Sequence, residues 1–206
     1  MNEKNFVREL PDGYRQVFYL NAKQAKAGIV MNLIALAVLV AVVACGLLPY
    51  FIGGIPSLAV DLSNTVVLLL VYLAFLAILL LYVVLHELVH GIVYKWMTGE
   101  KLTFGMSWSC AFCGVPHIYT TRKTVLLAVS APLAVFTLLF LPALVGLYFV
   151  HPLIYFLGLT IFGLHLGGCC GDIYVLLLLL FKYKDARALV RDTGPEQFIY
   201  LPELPE

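Results

Sequence analysis

Four apolar runs dominate this 206-residue chain, at about 27–48, 65–97, 124–150 and 153–181. Each is long enough to cross a hydrocarbon core of about 30 Å as a helix. Inside that core every backbone group must find an internal partner, which leaves helix as the conformation open to such runs. Composition agrees: 62% of residues are hydrophobic, 12% are charged, and the mean hydropathy is +0.97. Soluble domains carry about 25% charged residues. The chain reads as an all-α polytopic membrane protein with about four transmembrane helices.

The charges orient the spans. All thirteen Lys and Arg lie before the first run, around the segment joining the second and third, or after the fourth. Excess positive charge marks the cytoplasmic side, so both termini are expected there. Three parts follow: a polar N-terminal segment 1–25, a membrane-embedded domain 26–181, and a polar tail 182–206, loosely ordered at its end. The first run is too long for a signal-peptide core and reads as an anchor. A net charge of +1, with the charges segregated, gives no face for nucleic acid. The lipid bilayer is the partner that the composition implies. Cys45, Cys110, Cys113, Cys169 and Cys170 have no disulfide-scaffold spacing.

Between the spans the punctuation is legible. Pro49 to Ser63 reads as a loop, and Ser63-Asn64 as a helix N-cap. Gly99 is placed to close the second helix. Val17–Leu20 reads as a short strand or interfacial segment. Alternation in 102–109, with a return over 111–121, suggests a small β-hairpin. Pro132 and Pro142 predict a kinked third span. A tight turn at His151-Pro152 leads into the fourth run, which Gly167-Gly168-Cys169-Cys170-Gly171-Asp172 interrupts.

Ionisable side chains inside such runs are expensive and mark function. His86-Glu87-Leu88-Val89-His90 ends the second run. At 100° per residue, His86 and His90 share one helix face one turn apart, so two imidazoles can hold a single Zn²⁺. Glu87 is then placed to take a proton from water activated by the metal. Catalytic zinc needs a third protein ligand, for which Asp172, His165, His117, His151 and the cysteines are candidates. Depth favours Asp172. His86 and Asp172 both lie about 20 residues in from the same membrane face, roughly 30 Å at helical rise. Asp172 is also the only carboxylate in the third and fourth runs. His165 precedes it by two turns on the same face, and reads equally as a hydrogen-bonded structural histidine or as support for the site. His151 falls on the opposite side. Cys110 and Cys113 with His117 lack a second cysteine pair, and Cys169-Cys170 read as small packing residues. Gly167, Gly168 and Gly171 suit close helix approach.

With the His86–His90 motif on one span and Gly171-Asp172 on a later one, the chain resembles intramembrane zinc metalloproteases of the site-2 protease type. Leu10-Pro11-Asp12-Gly13-Tyr14, Gly91 after the motif, Gly171-Asp172-Ile173 and the chain's size resemble, more narrowly, a family of small bacterial membrane proteins called putative zincin peptidases. The resemblance implies His86, His90 and Asp172 as zinc ligands and Glu87 as general base. It also implies hydrolysis of peptide bonds in a membrane protein or membrane-associated peptide. Around Asp172 the sequence Cys170-Gly171-Asp172-Ile173 differs from the Leu-Asp-Gly of the site-2 enzymes. The rival reading is an ion- or metal-coupled transporter with His86, Glu87, His90 and Asp172 as its pathway.

Overall fold

A computed structural model describes residues 5–53, 64–107 and 110–203. Four of its helices are long and apolar enough to cross a membrane: Ala25–Ile52, Thr65–Thr98, Arg122–Val150 and Pro152–Lys182. The first three belong to α1 (Ala25–Gly53), α2 (Thr65–Thr98) and α3 (Arg122–Val150). The fourth is interrupted where the glycines predict it. There α4 (Pro152–Gly168) stops at Cys169, α5 (Cys170–Leu177) resumes, and a π-helical turn, Leu178–Lys182, completes the run.

The helix ends follow their local chemistry. The Asn64 side chain accepts from the Val67 N–H at 3.2 Å, capping α2. Gly99 closes that helix in the left-handed region (φ 72°), where a side chain would be strained, and its N–H donates to the Lys95 carbonyl. α1 continues through Pro49 to Gly53, further than the loop expected from Pro49 onward. The rest of that loop, 54–63, lies outside the described residues. His151 caps α4, its Nδ1 accepting from the Leu153 N–H at 3.2 Å.

Among the described residues there are also seven short strands: β1 (Phe6–Val7), β2 (Tyr14–Asn21), β3 (Thr103–Met106), β4 (Ala111–Gly114), β5 (Tyr119–Thr121), β6 (Leu189–Asp192) and β7 (Glu196–Pro202). The expected hairpin is present as β3–β4, with Thr103 opposite Gly114 and Met106 opposite Ala111. Its return strand ends earlier than the sequence suggests. Tyr119–Thr121 leaves the hairpin for a five-stranded antiparallel sheet of order β1-β5-β6-β7-β2. That sheet gathers the segment before α1, the connection between α2 and α3, and the tail, so all three lie at one end of the helices.

The tail is more ordered than its polarity suggests. Val190 on β6 and Ile199 on β7 are fully buried against Val125 and Val129 of α3 and Val175 and Leu179 of the fourth span. Residues 204–206, the tail's expected loose end, lie outside the described residues. Close helix approach rests on fewer glycines than the sequence offers. A methyl group on Gly167 would sit 2.6 Å from the Ala35 carbonyl oxygen of α1, and Gly163 meets α1 in the same way at Leu39. Gly168 and Gly171 face open space.

Candidate metal centre

One face of α2 carries Tyr82, His86, His90 and Tyr94, four side chains spaced four residues apart and all buried. Each rung meets a different element. Tyr94 donates its hydroxyl proton to Oδ2 of Asp192 on β6, at 2.6 Å. His90 Nδ1 lies 2.9 Å from the Ala128 carbonyl of α3. A carbonyl oxygen only accepts, so this nitrogen carries a proton and Nε2 is the ring nitrogen left to offer a lone pair to a metal. His86 Nδ1 lies 3.0 Å from the Tyr82 hydroxyl.

The remaining nitrogens converge. His86 Nε2 and His90 Nε2 each lie 3.3 Å from Oδ2 of Asp172. The break at Cys169 starts α5 just before this aspartate, which enters from the fourth span. Glu87 does not join the converging atoms but lines the same cavity, of about 150 Å³, together with Asp192 and Gln197. It also borders an apolar groove of about 360 Å³, formed with Leu88 of α2 and Phe104, Met106 and Phe112 of the hairpin.

This donor set fits a zinc ion. Two imidazole nitrogens and a carboxylate oxygen are ligand types zinc takes, and the three ligand atoms lie within 4.8 Å of one another. Tetrahedral zinc with bonds of about 2.0–2.1 Å holds neighbouring ligands roughly 3.3 Å apart, the spacing seen from each histidine to Asp172. Among the described residues a second trio, His86, His165 and Cys169, meets the same distance criterion. His117 is exposed on a turn, and His151 is committed to its cap. Burial pushes the Cys113 thiol up to about 12, helped by the charges of Glu87 and Asp192, so it remains a neutral thiol at the cavity wall.

A sequence profile described as putative zincin peptidase matches residues 78–187, slightly more than half of the chain. The chain belongs to that family. Membership makes this zincin-family chain a metallopeptidase in general class and implies zinc as its cofactor. The matched stretch contains the histidine motif and Asp172 but ends before β6. Comparison with curated proteins and with solved structures gives no match.

Tyr94 and Asp192 are among the cavity residues that escaped the sequence reading. Tyr94 carried a signal, the continuation of the His86–His90 spacing by one more turn. Asp192 carried none, being one carboxylate among several in a polar tail. Burial pushes Asp192 up to about 6, while hydrogen bonds from Tyr94 and from the Gly194 N–H hold it partly down. A carboxyl raised above its unfolded value of about 3.9 binds its proton more tightly in the fold. Its contribution to stability is therefore full below pH ~4 and is lost as pH rises through 6. Between those limits wild-type protein is expected to lose about 2–3 kcal/mol relative to Asp192→Asn. Thermal midpoints of both proteins across this range are the check; parallel curves would exclude Asp192 as the titrating group.

Proposed function

We propose that the chain is a zinc-dependent, membrane-embedded peptidase of the site-2 protease type. In this reading His86, His90 and Asp172 hold the zinc and Glu87 is the general base. Peptide bonds of a membrane protein or membrane-associated peptide are cut near the cytoplasmic face. The observation that carries the proposal is the approach of both Nε2 atoms to one carboxylate oxygen at 3.3 Å, beside Glu87.

Zinc held there supplies Lewis acidity, to a scissile carbonyl and to water. Glu87 receives the proton of the attacking water on its carboxylate and returns it to the amine nitrogen as the C–N bond breaks. Proton transfer of this kind needs no movement of the helix, because Glu87 already faces the cavity. The apolar groove between Glu87 and the hairpin suits a substrate segment leaving the bilayer. A helical substrate hides its carbonyls in internal hydrogen bonds. An extended one can add to the free edge of the two-stranded β3–β4 sheet, which supports strand addition as the mode of binding. The clustering of Lys and Arg at the sheet end of the spans supports the cytoplasmic assignment.

The test is zinc content per chain in detergent-purified protein, for wild type, His86→Ala and Asp172→Asn. About one zinc per wild-type chain, lost in both variants, is the expected result for a site with three protein ligands. Zinc retained by Asp172→Asn would remove the aspartate from the ligand set. Wild-type protein that takes up no zinc even on reconstitution would overturn the metal reading.

A further inference from the structure

We propose that Tyr82, held in place by His165, is a positioning residue of the zinc site: its hydroxyl oxygen accepts a hydrogen bond from His86 Nδ1–H and so leaves the Nε2 lone pair for a metal beside Asp172. The inference rests on His86 being a zinc ligand. It concerns how that ligand is prepared.

His90 needs no such device, because the Ala128 carbonyl fixes its protonation directly. His86 has a hydroxyl in the equivalent place, and a hydroxyl can donate or accept. The Tyr82 oxygen lies 3.0 Å from His86 Nδ1 and 2.9 Å from His165 Nδ1. It has one proton for two imidazole nitrogens. If it donates to His165, it accepts from His86, whose Nε2 then carries the lone pair a metal needs. If it donates to His86, the Nε2 of that ring carries a proton and cannot ligate. One hydroxyl proton therefore couples the two rings in opposite senses.

The surroundings of His165 choose between them. Its ring is completely buried, and Nε2 lies 3.1 Å from the Thr137 hydroxyl, so a proton there has an acceptor. The Cys169 thiol, a weak donor, lies 3.7 Å from Nδ1. A thiol that can donate to Nδ1 and a hydroxyl that can accept at Nε2 together favour the ring protonated on Nε2. Tyr82 then donates to His165, and His86 donates to Tyr82. Edge-to-face contact with Phe136, at 5.2 Å between centroids, holds the Tyr82 ring in this pose. The hydroxyl also stands between His86 and His165, so the second donor trio, with Cys169, stays closed to metal while this pair of hydrogen bonds persists.

Partners of metal-bound histidines are typically worth 10–100-fold in metal affinity. The experiment is chelator competition for zinc on the full chain in detergent, comparing wild type with Tyr82→Phe, His165→Leu and His165→Asn, with thermal midpoints of the zinc-free proteins. Tyr82→Phe keeps the ring and is expected to bind zinc about 10–100-fold more weakly while the zinc-free protein still melts cooperatively as a folded chain. His165→Leu is expected to weaken zinc similarly. His165→Asn, which keeps an acceptor where Nδ1 stood, is expected to stay near wild type. That rescue separates positioning from packing, because a packing role would lower both His165 midpoints and leave affinity alone. Unchanged affinity in Tyr82→Phe, with wild type binding zinc, overturns the inference alone. Wild type that binds no zinc overturns the reading of His86 beneath it.

Discussion

Replacing Glu87 with glutamine is expected to slow peptide hydrolysis by about 10²–10⁴-fold, the usual worth of a positioned general base. Glutamine has nearly the same size and fills the same space, but it cannot hold the proton that water must give up. Glu87 stands outside the trio of converging atoms, so the variant is expected to keep its zinc. Both quantities need measuring on one preparation: single-turnover cleavage of a membrane peptide, and metal per chain. Lost activity with retained zinc assigns Glu87 to proton transfer. Lost zinc would instead make it a structural neighbour of the metal, and cleavage at the wild-type rate would end its candidacy.

A second large effect is expected from ending the chain after Arg187, which deletes β6 and β7. Val190 and Ile199 would be lost from the cluster that joins the sheet to α3 and the fourth span. Burial of two such side chains is worth about 3–6 kcal/mol together, a large part of the 5–15 kcal/mol that holds a typical protein folded. The backbone pairing of β2 along its whole length, from Tyr14 opposite Pro202 to Asn21 opposite Glu196, would go as well. A fall in thermal midpoint of roughly 10 °C or more is expected. The Tyr94 hydroxyl would also lose its acceptor, and the cavity the wall bearing Asp192 and Gln197. A truncated chain melting with wild type would show that the sheet contributes little to holding the spans.

What could be read from the sequence was what depends on near neighbours. The spans, the Asn64 and Gly99 caps and the His86–His90 pair each show themselves within a few residues. Asp172 was also legible, because a membrane gives residues on separate helices a common depth scale and makes a lone carboxylate conspicuous. The sheet was not. Its strands are two to eight residues long and come from three distant segments. Nothing near Tyr14–Asn21 announces that its partner is Glu196–Pro202. Asp192 escaped for the same reason: its importance comes from a tertiary contact with Tyr94. The glycines at 167, 168 and 171 looked alike in sequence, yet only the first lies against another helix, since which face a glycine occupies depends on the packing partner.

The order of β1-β5-β6-β7-β2 has a consequence for how the molecule is made. Chains emerge from the ribosome N-terminus first, and local structure forms before distant pairing. β2 is synthesised before the four spans and must wait for β7, which follows them. During that interval His86, Glu87, His90 and Asp172 exist with one wall of their cavity missing. In that state the candidate site has no Asp192 or Gln197 beside it and no completed sheet behind it. Strand order thus makes the wall bearing Asp192 and Gln197 the last part of the cavity to form.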